Sequence, residues 1–222
     1  QVLDLPATRV QAGERCAVNL AGADLKRAEP VRGDWLVGPD APPPSDRLDV
    51  LLRLLPGPQS APGPRAQLLL HLGAATRVAR LAPLADAPLQ AGTDTLVRLL
   101  LDRPVIAAWG DRFILRDAAA NHSLGGGWVV DAFGPLRGRA QPQRLQQLAA
   151  LALADPAQAL QGLLAVQPLG VDLAHFARAR GLRAEAVAAL QLPLAMHMMR
   201  LSGRMSSCAS AIVRSAKHSK TR

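Results

Sequence analysis

The sequence predicts a mainly β fold that gives way to helices, and three features carry that expectation. Turn residues recur at short intervals between Asp46 and about Phe133, the apolar runs between them are short enough for strands, and after Pro135 the composition switches to Ala, Leu and Gln. Turn signals about 8 to 12 residues apart favour a closed all-β barrel or a sandwich, and of the two a barrel is expected. A hydrophobic content of 49% over 222 residues is ample for buried cores. With aromatic residues at 3% and no tyrosine, those cores must be built from Leu, Val and Ala.

Residues 1–41 contain short extended-looking runs separated by glycines. Cys16, Val18 and Leu20 alternate with Ala17 and Asn19, the period of a half-buried strand. "GPDAPPPS", residues 38–45, then places three prolines in a row, which stops regular structure and marks a domain boundary. The expected barrel strands follow as "RLDVLLRLL", "AQLLLHLG", "ATRVARLAPL", "DTLVRLLLD", "PVIAAW", "RFILRD" and "GWVVDAF", with Gly73, Gly110 and Gly125 to Gly127 among the punctuation. Strand periodicity puts Phe113 and Leu115 on one face of "GDRFILRD" and Arg112, Ile114 and Arg116 on the other. The first row is expected to fill the barrel. The second lines its outer face, pairing with acids on adjacent strands or facing a neighbouring domain.

"PLRGRAQP" is a basic link into a helical module over residues 141–191. Asp155 before Pro156 has the form of an N-cap with proline at the first helical position, which splits the Ala/Leu/Gln run into two helices. Asp172 is expected to cap a helix carrying Leu173, Phe176 and Ala177 on one face, with Gly181 making a turn into a second helix through Leu190, a helix-turn-helix spacing. Residues 192–222 carry no acid and no clear period, and a winged domain would need a hairpin there. The expectation is a basic, non-native tail, such as a reading-frame shift would produce.

A formal charge of +9 favours a polyanionic partner, yet Arg200, Arg204, Arg214, Lys217, Lys220 and Arg222 supply six of those charges and leave the body only mildly basic. The two cysteines, Cys16 and Cys208, form no C-x-x-C pair, and none of the five histidines stands at i, i+4 with a glutamate, so no metal centre is expected. "SLGGGWVV" lacks the lysine and hydroxyl of a phosphate-binding loop, and a bulge or bend between barrel strands explains its glycines better. No nucleophile elbow occurs, and Asp111 and Asp117 are expected to meet water or a basic residue on a neighbouring strand. The chain is not expected to be an enzyme. With no signal peptide and no apolar run long enough to span a bilayer, a cytoplasmic home without membrane contact is expected; the opening Gln1 suggests a piece of a longer protein. The helix-turn-helix leaves a DNA-binding regulator with a barrel as dimerisation or ligand module as the alternative. Arg183, Ala184, Glu185 and Ala186 are, however, poor readers of a major groove.

Two stretches carry a family resemblance. "AGERCAVNLAGADLKRAEPVRGDWLV", residues 12–37, resembles the second half of the second domain of translational GTPases. "GDRFILRDAAANHSLGGGWVVDAF", residues 110–133, resembles their third domain. "NLAG" with "RGDWL", and the switch to helices after "PLRGRAQPQRL", point to the bacterial selenocysteine-specific elongation factors. The resemblance implies translation-factor β-barrels, the second domain incomplete over 1–41 and the third whole over 46–135, followed by a winged-helix-like module. It implies selenocysteinyl-tRNA and the ribosome as partners, and an mRNA hairpin held by C-terminal modules outside this chain. Arg15 matches the arginine near the selenocysteinyl pocket, where a guanidinium favours an ionised selenolate over neutral serine. Arg32 matches the arginine that meets the phosphate end of the acceptor stem, a role suited to its bidentate donors. The family's basic residue before the glycine cluster is here His122 followed by Ser123, which weakens one contact. The family uses GTP and magnesium, but no P-loop or guanine-specificity motif occurs in these residues, so no cofactor is expected in this chain.

Overall fold

Six short runs rich in apolar residues form the six strands of a computed structural model that describes residues 8–11, 13–22, 30–38, 41–57, 62–63, 66–84, 88–119, 121–167 and 170–190. The strands are β1 (Ser45–Leu54), β2 (Gln67–Leu72), β3 (Ala75–Pro83), β4 (Asp94–Val105), β5 (Arg112–Asp117) and β6 (Ser123–Asp131). They close into an antiparallel barrel in the order β1-β4-β3-β2-β5-β6, with β6 returning to β1. The inward row is Leu48, Val50, Leu52 and Leu54 on β1, Leu68, Leu70 and Leu72 on β2, Leu99 on β4 and Phe113 and Leu115 on β5, all buried in one core. Leu70 lies opposite Leu115 and Leu72 opposite Phe113, so leucine layers replace the aromatic filling that the composition lacks.

"PVIAAW" is not a strand of its own. β4 runs on through Pro104 to Val105, and the β1–β4 register jumps from Arg47 opposite Leu100 to Ser45 opposite Val105. Pro104 falls in that interruption, where its missing N–H removes no ladder bond. Gly125 to Gly127 likewise do not separate strands. They lie inside β6, paired to β1 on one side and β5 on the other, although a register shift does occur beside them between Leu115 and Arg116. A Cβ at Gly125 or Gly127 would fall inside the van der Waals envelope of the Arg53 or Leu51 carbonyl oxygen, and one at Gly126 would come 2.7 Å from that of Phe113. Glycine is there for room.

Three helices follow: α1 (Pro142–Leu151), α2 (Pro156–Val166) and α3 (Leu173–Ala179), with a further helical stretch over residues 184–190. Asp155 accepts from Ala157 N at 3.0 Å and Asp172 from His175 N at 3.0 Å, as their positions before the helices predict. Asp155→Ala should therefore cost about 1 kcal/mol, read from the urea midpoint; an unchanged midpoint would show the cap to be idle. Gly181, at φ 61°, turns the chain after α3. Leu148 of α1 packs with Leu84 and Val130 on the outer wall of the barrel, while Ala159, Leu160, Leu163 and Phe176 make the module's own core.

The chain divides into two units, Gln1–Asp34 and Trp35–Arg222. In the first, the strand expected around Cys16 to Leu20 is reduced to an isolated bridge at Cys16, with Val18 and Leu20 exposed. The tail over 192–222, with Cys208, lies outside the described residues.

Candidate nucleic-acid interface

Arg15 and Arg32 both belong to the first unit, and both are exposed. Each stands at a turn of the same construction. In one, Glu14 N donates to Gln11 O at 3.2 Å while the Glu14 carboxylate takes Gln11 N at 2.7 Å, around Gly13 at φ 94°. In the other, Asp34 N donates to Val31 O at 3.1 Å and the Asp34 carboxylate takes Val31 N at 2.9 Å, around Gly33 at φ 101°. A positive φ two residues into a turn is the demand of a type II turn, which glycine meets without strain. The acid of each turn is thus bonded to backbone. Arg15 follows the first turn and Arg32 lies within the second.

In the second unit, β5 sorts its side chains as its alternation predicts: Phe113 and Leu115 are buried, Arg112 and Ile114 exposed, and Arg116 half-buried. Among the described residues neither Arg112 nor Arg116 forms an ion pair, so the outer row is not neutralised by acids on adjacent strands. Asp111 and Asp117 close the turns at either end of β5 instead. Asp111 Oδ2 accepts from Ala108 N at 2.8 Å, and Asp117 Oδ1 accepts from His122 N at 2.9 Å. His122 and Ser123 lie exposed at the start of β6. Among the described residues no cluster of His, Cys, Asp and Glu could hold a metal, and no helix is long and apolar enough to cross a membrane.

The densest electrostatics lie at residues that no sequence motif singles out. Asp49 on β1 and Asp131 on β6 are buried together with Arg98 of β4 and Arg144 of α1. Arg98 donates to Asp49 through Nε at 2.6 Å and Nη2 at 2.8 Å, and to the Pro135 carbonyl at 2.6 Å. Arg144 Nη2 reaches Asp49 at 2.6 Å and Asp131 at 2.5 Å. Burial opposes the charge on Arg144 more than any other single influence, but the two carboxylates together outweigh it and hold the pKa above arginine's ordinary value. Two cations and two anions are matched, so the cluster ties barrel wall, connector and α1 together without net charge. The available signal was a lone charge inside an apolar run, as in "LDVLL" and "LVRLL".

Residues 64–136 match the family model described as the selenocysteine-specific elongation factor β-barrel domain. Among curated proteins, the chain is 36% identical over 182 residues to the selenocysteine-specific elongation factor of Escherichia coli K12, covering 81% of this chain and 27% of that protein. It is 35% identical over 147 residues to the factor of the same name from Haemophilus influenzae, covering 66% and 23%. The chain thus spans about a quarter of the length of these relatives. Among solved structures, a crystal structure of bacterial selenocysteine-specific elongation factor EF-Sec superposes with a TM-score of 0.62 at 21% identity, covering 84% of this chain and 28% of that one, a likeness of fold. The comparisons do not favour a DNA-binding regulator.

Proposed function

We propose that this chain, which is similar to part of the selenocysteine-specific elongation factors and carries their β-barrel domain, holds selenocysteinyl-tRNA for delivery to the ribosome. Arg15 serves the selenocysteinyl group and Arg32 the phosphate end of the acceptor stem. The observation that carries this reading is the pair of matching glycine turns, which leave both guanidinium-bearing residues exposed while bonding the nearest acids to backbone. A selenolate is ionised near neutral pH and a serine hydroxyl is not, so one fixed cation separates the two.

In the same reading, residues 1–41 belong to a second-domain barrel, 46–135 are the third domain, 141–191 a winged-helix-like module and 192–222 a basic tail. The protein is cytoplasmic, and the residues present bind neither GTP nor magnesium, catalyse nothing, and leave any mRNA hairpin to other modules. The test is a binding series with selenocysteinyl-tRNA, seryl-tRNA and duplex DNA over several salt concentrations. Arg32→Ala should weaken both tRNAs alike and lower the salt slope by about one. Arg15→Ala should remove a preference of roughly tenfold for the selenocysteinyl form, the scale of one hydrogen bond to a charged group. Tighter binding to duplex DNA than to either tRNA would overturn the proposal.

A further inference from the structure

We propose that Arg180 and Trp109 form a clasp that fixes the helical module to the barrel as one body and passes any displacement of α3 to the turn ahead of β5. This inference is independent of the tRNA reading. α1 ends at Leu151 with no basic residue in its last turn, so its carbonyl end, where the helix dipole favours a cation, is left to a residue from elsewhere. Arg180, at the end of α3, fills that place. Its Nη2 donates to Leu151 O at 2.9 Å and Leu153 O at 2.5 Å, and its Nη1 to Ala154 O at 3.3 Å. The guanidinium carbon lies 4.1 Å from the centre of the Trp109 ring and 5.3 Å from that of Phe176. Burial lowers the pKa to about 10, with Asp155 acting in the opposite direction, which still leaves the side chain charged at neutral pH.

Trp109 belongs to the barrel and completes the clasp. Its Nε1 donates to the same Leu151 carbonyl at 2.8 Å, and its backbone N–H donates to Ala179 O, the last residue of α3, at 2.8 Å. Its ring packs edge-on against Trp128 of β6 with centroids 5.2 Å apart. The turn that carries Trp109 leads straight into β5. Asp111 closes it, Gly110 N donates to Val129 O at 2.9 Å, and Val129 N donates to Asp111 O at 3.0 Å. Four of the chain's six Trp and Phe residues, Trp109, Trp128, Phe133 and Phe176, gather at this junction, with His175 of α3 packed 5.0 Å from Phe133. A pull on α3 therefore meets a stacked, multiply hydrogen-bonded contact rather than a free connector.

Amide hydrogen exchange on the whole chain tests this, since residues that open together share their exchange behaviour. The informative amides are Gly110 and Val129, whose hydrogen bonds lie within the barrel, one step removed from the helices. Arg180→Met, which keeps an apolar stem and loses every donor, should speed exchange at α3 and at Gly110 and Val129 together, by at least about tenfold. Trp109→Phe keeps a ring and deletes one donor, and should produce the same pattern at smaller amplitude. If Arg180→Met lets α3 exchange freely while Gly110 and Val129 keep their parent rates, the module swings independently and the clasp is refuted. The same pattern refutes it even where the substitution unfolds the helices outright.

Discussion

Gly127→Ala is expected to destabilise the barrel by about 3 kcal/mol, the upper end of the range for overpacking. The added methyl would drive into the Leu51 carbonyl oxygen on β1, and Gly127 is also paired with Phe113 on β5, so relief on one side loads the other. Because the clash is with backbone, no rotamer change can accommodate it. The same substitution at Gly57, where a Cβ meets nothing within 4 Å, should change stability by no more than about 0.5 kcal/mol. Urea unfolding of the two variants decides the matter. Equal midpoints would mean that β6 shifts at little cost and that its glycines are there for another reason.

That pair of glycines also shows what a sequence discloses and what it hides. Both look like turn residues when read along the chain, yet Gly127 is fixed by the approach of β1, far earlier in the chain, which no local pattern encodes. The alternation in "RFILRD" was legible because strand period is a local property, and the caps at Asp155 and Asp172 were legible because a side chain reaching its own helix spans only a few residues. The expected strand through Cys16, Val18 and Leu20 is reduced to an isolated bridge at Cys16 for the converse reason: alternation is local, but a full ladder depends on residues elsewhere in the chain. Arg15 and Arg32 could be singled out by resemblance. The matching turns that present them became visible only with the carboxylates of Glu14 and Asp34 in place. Arg180 was hidden because its partners are carbonyls, which every residue has.

Asp49→Ala should cost about 3–5 kcal/mol, as removal of one member of a buried ion pair does. Asp49 is wholly buried and accepts from two arginines. Without it, Arg98 retains only the Pro135 carbonyl and Arg144 only Asp131, leaving an excess positive charge with no water to solvate it. The exposed pair Arg53–Asp94 has a similar separation, 2.7 Å, but its side chains are 60% and 46% exposed. Solvent screens it, and Asp94→Ala should therefore cost less than about 1 kcal/mol. A third protein separates the charge from the shape. In Asp49→Leu with Arg98→Met and Arg144→Met, the apolar replacements no longer strand a cation, and Asp131 is left as the single charge, still accepting from Phe133 N at 2.7 Å. That protein should be more stable than Asp49→Ala alone despite carrying three substitutions. Were the triple variant the less stable, the quartet would be supplying net attraction beyond its own desolvation, and α1 would be held to the barrel by charge rather than by Leu148 against Leu84 and Val130.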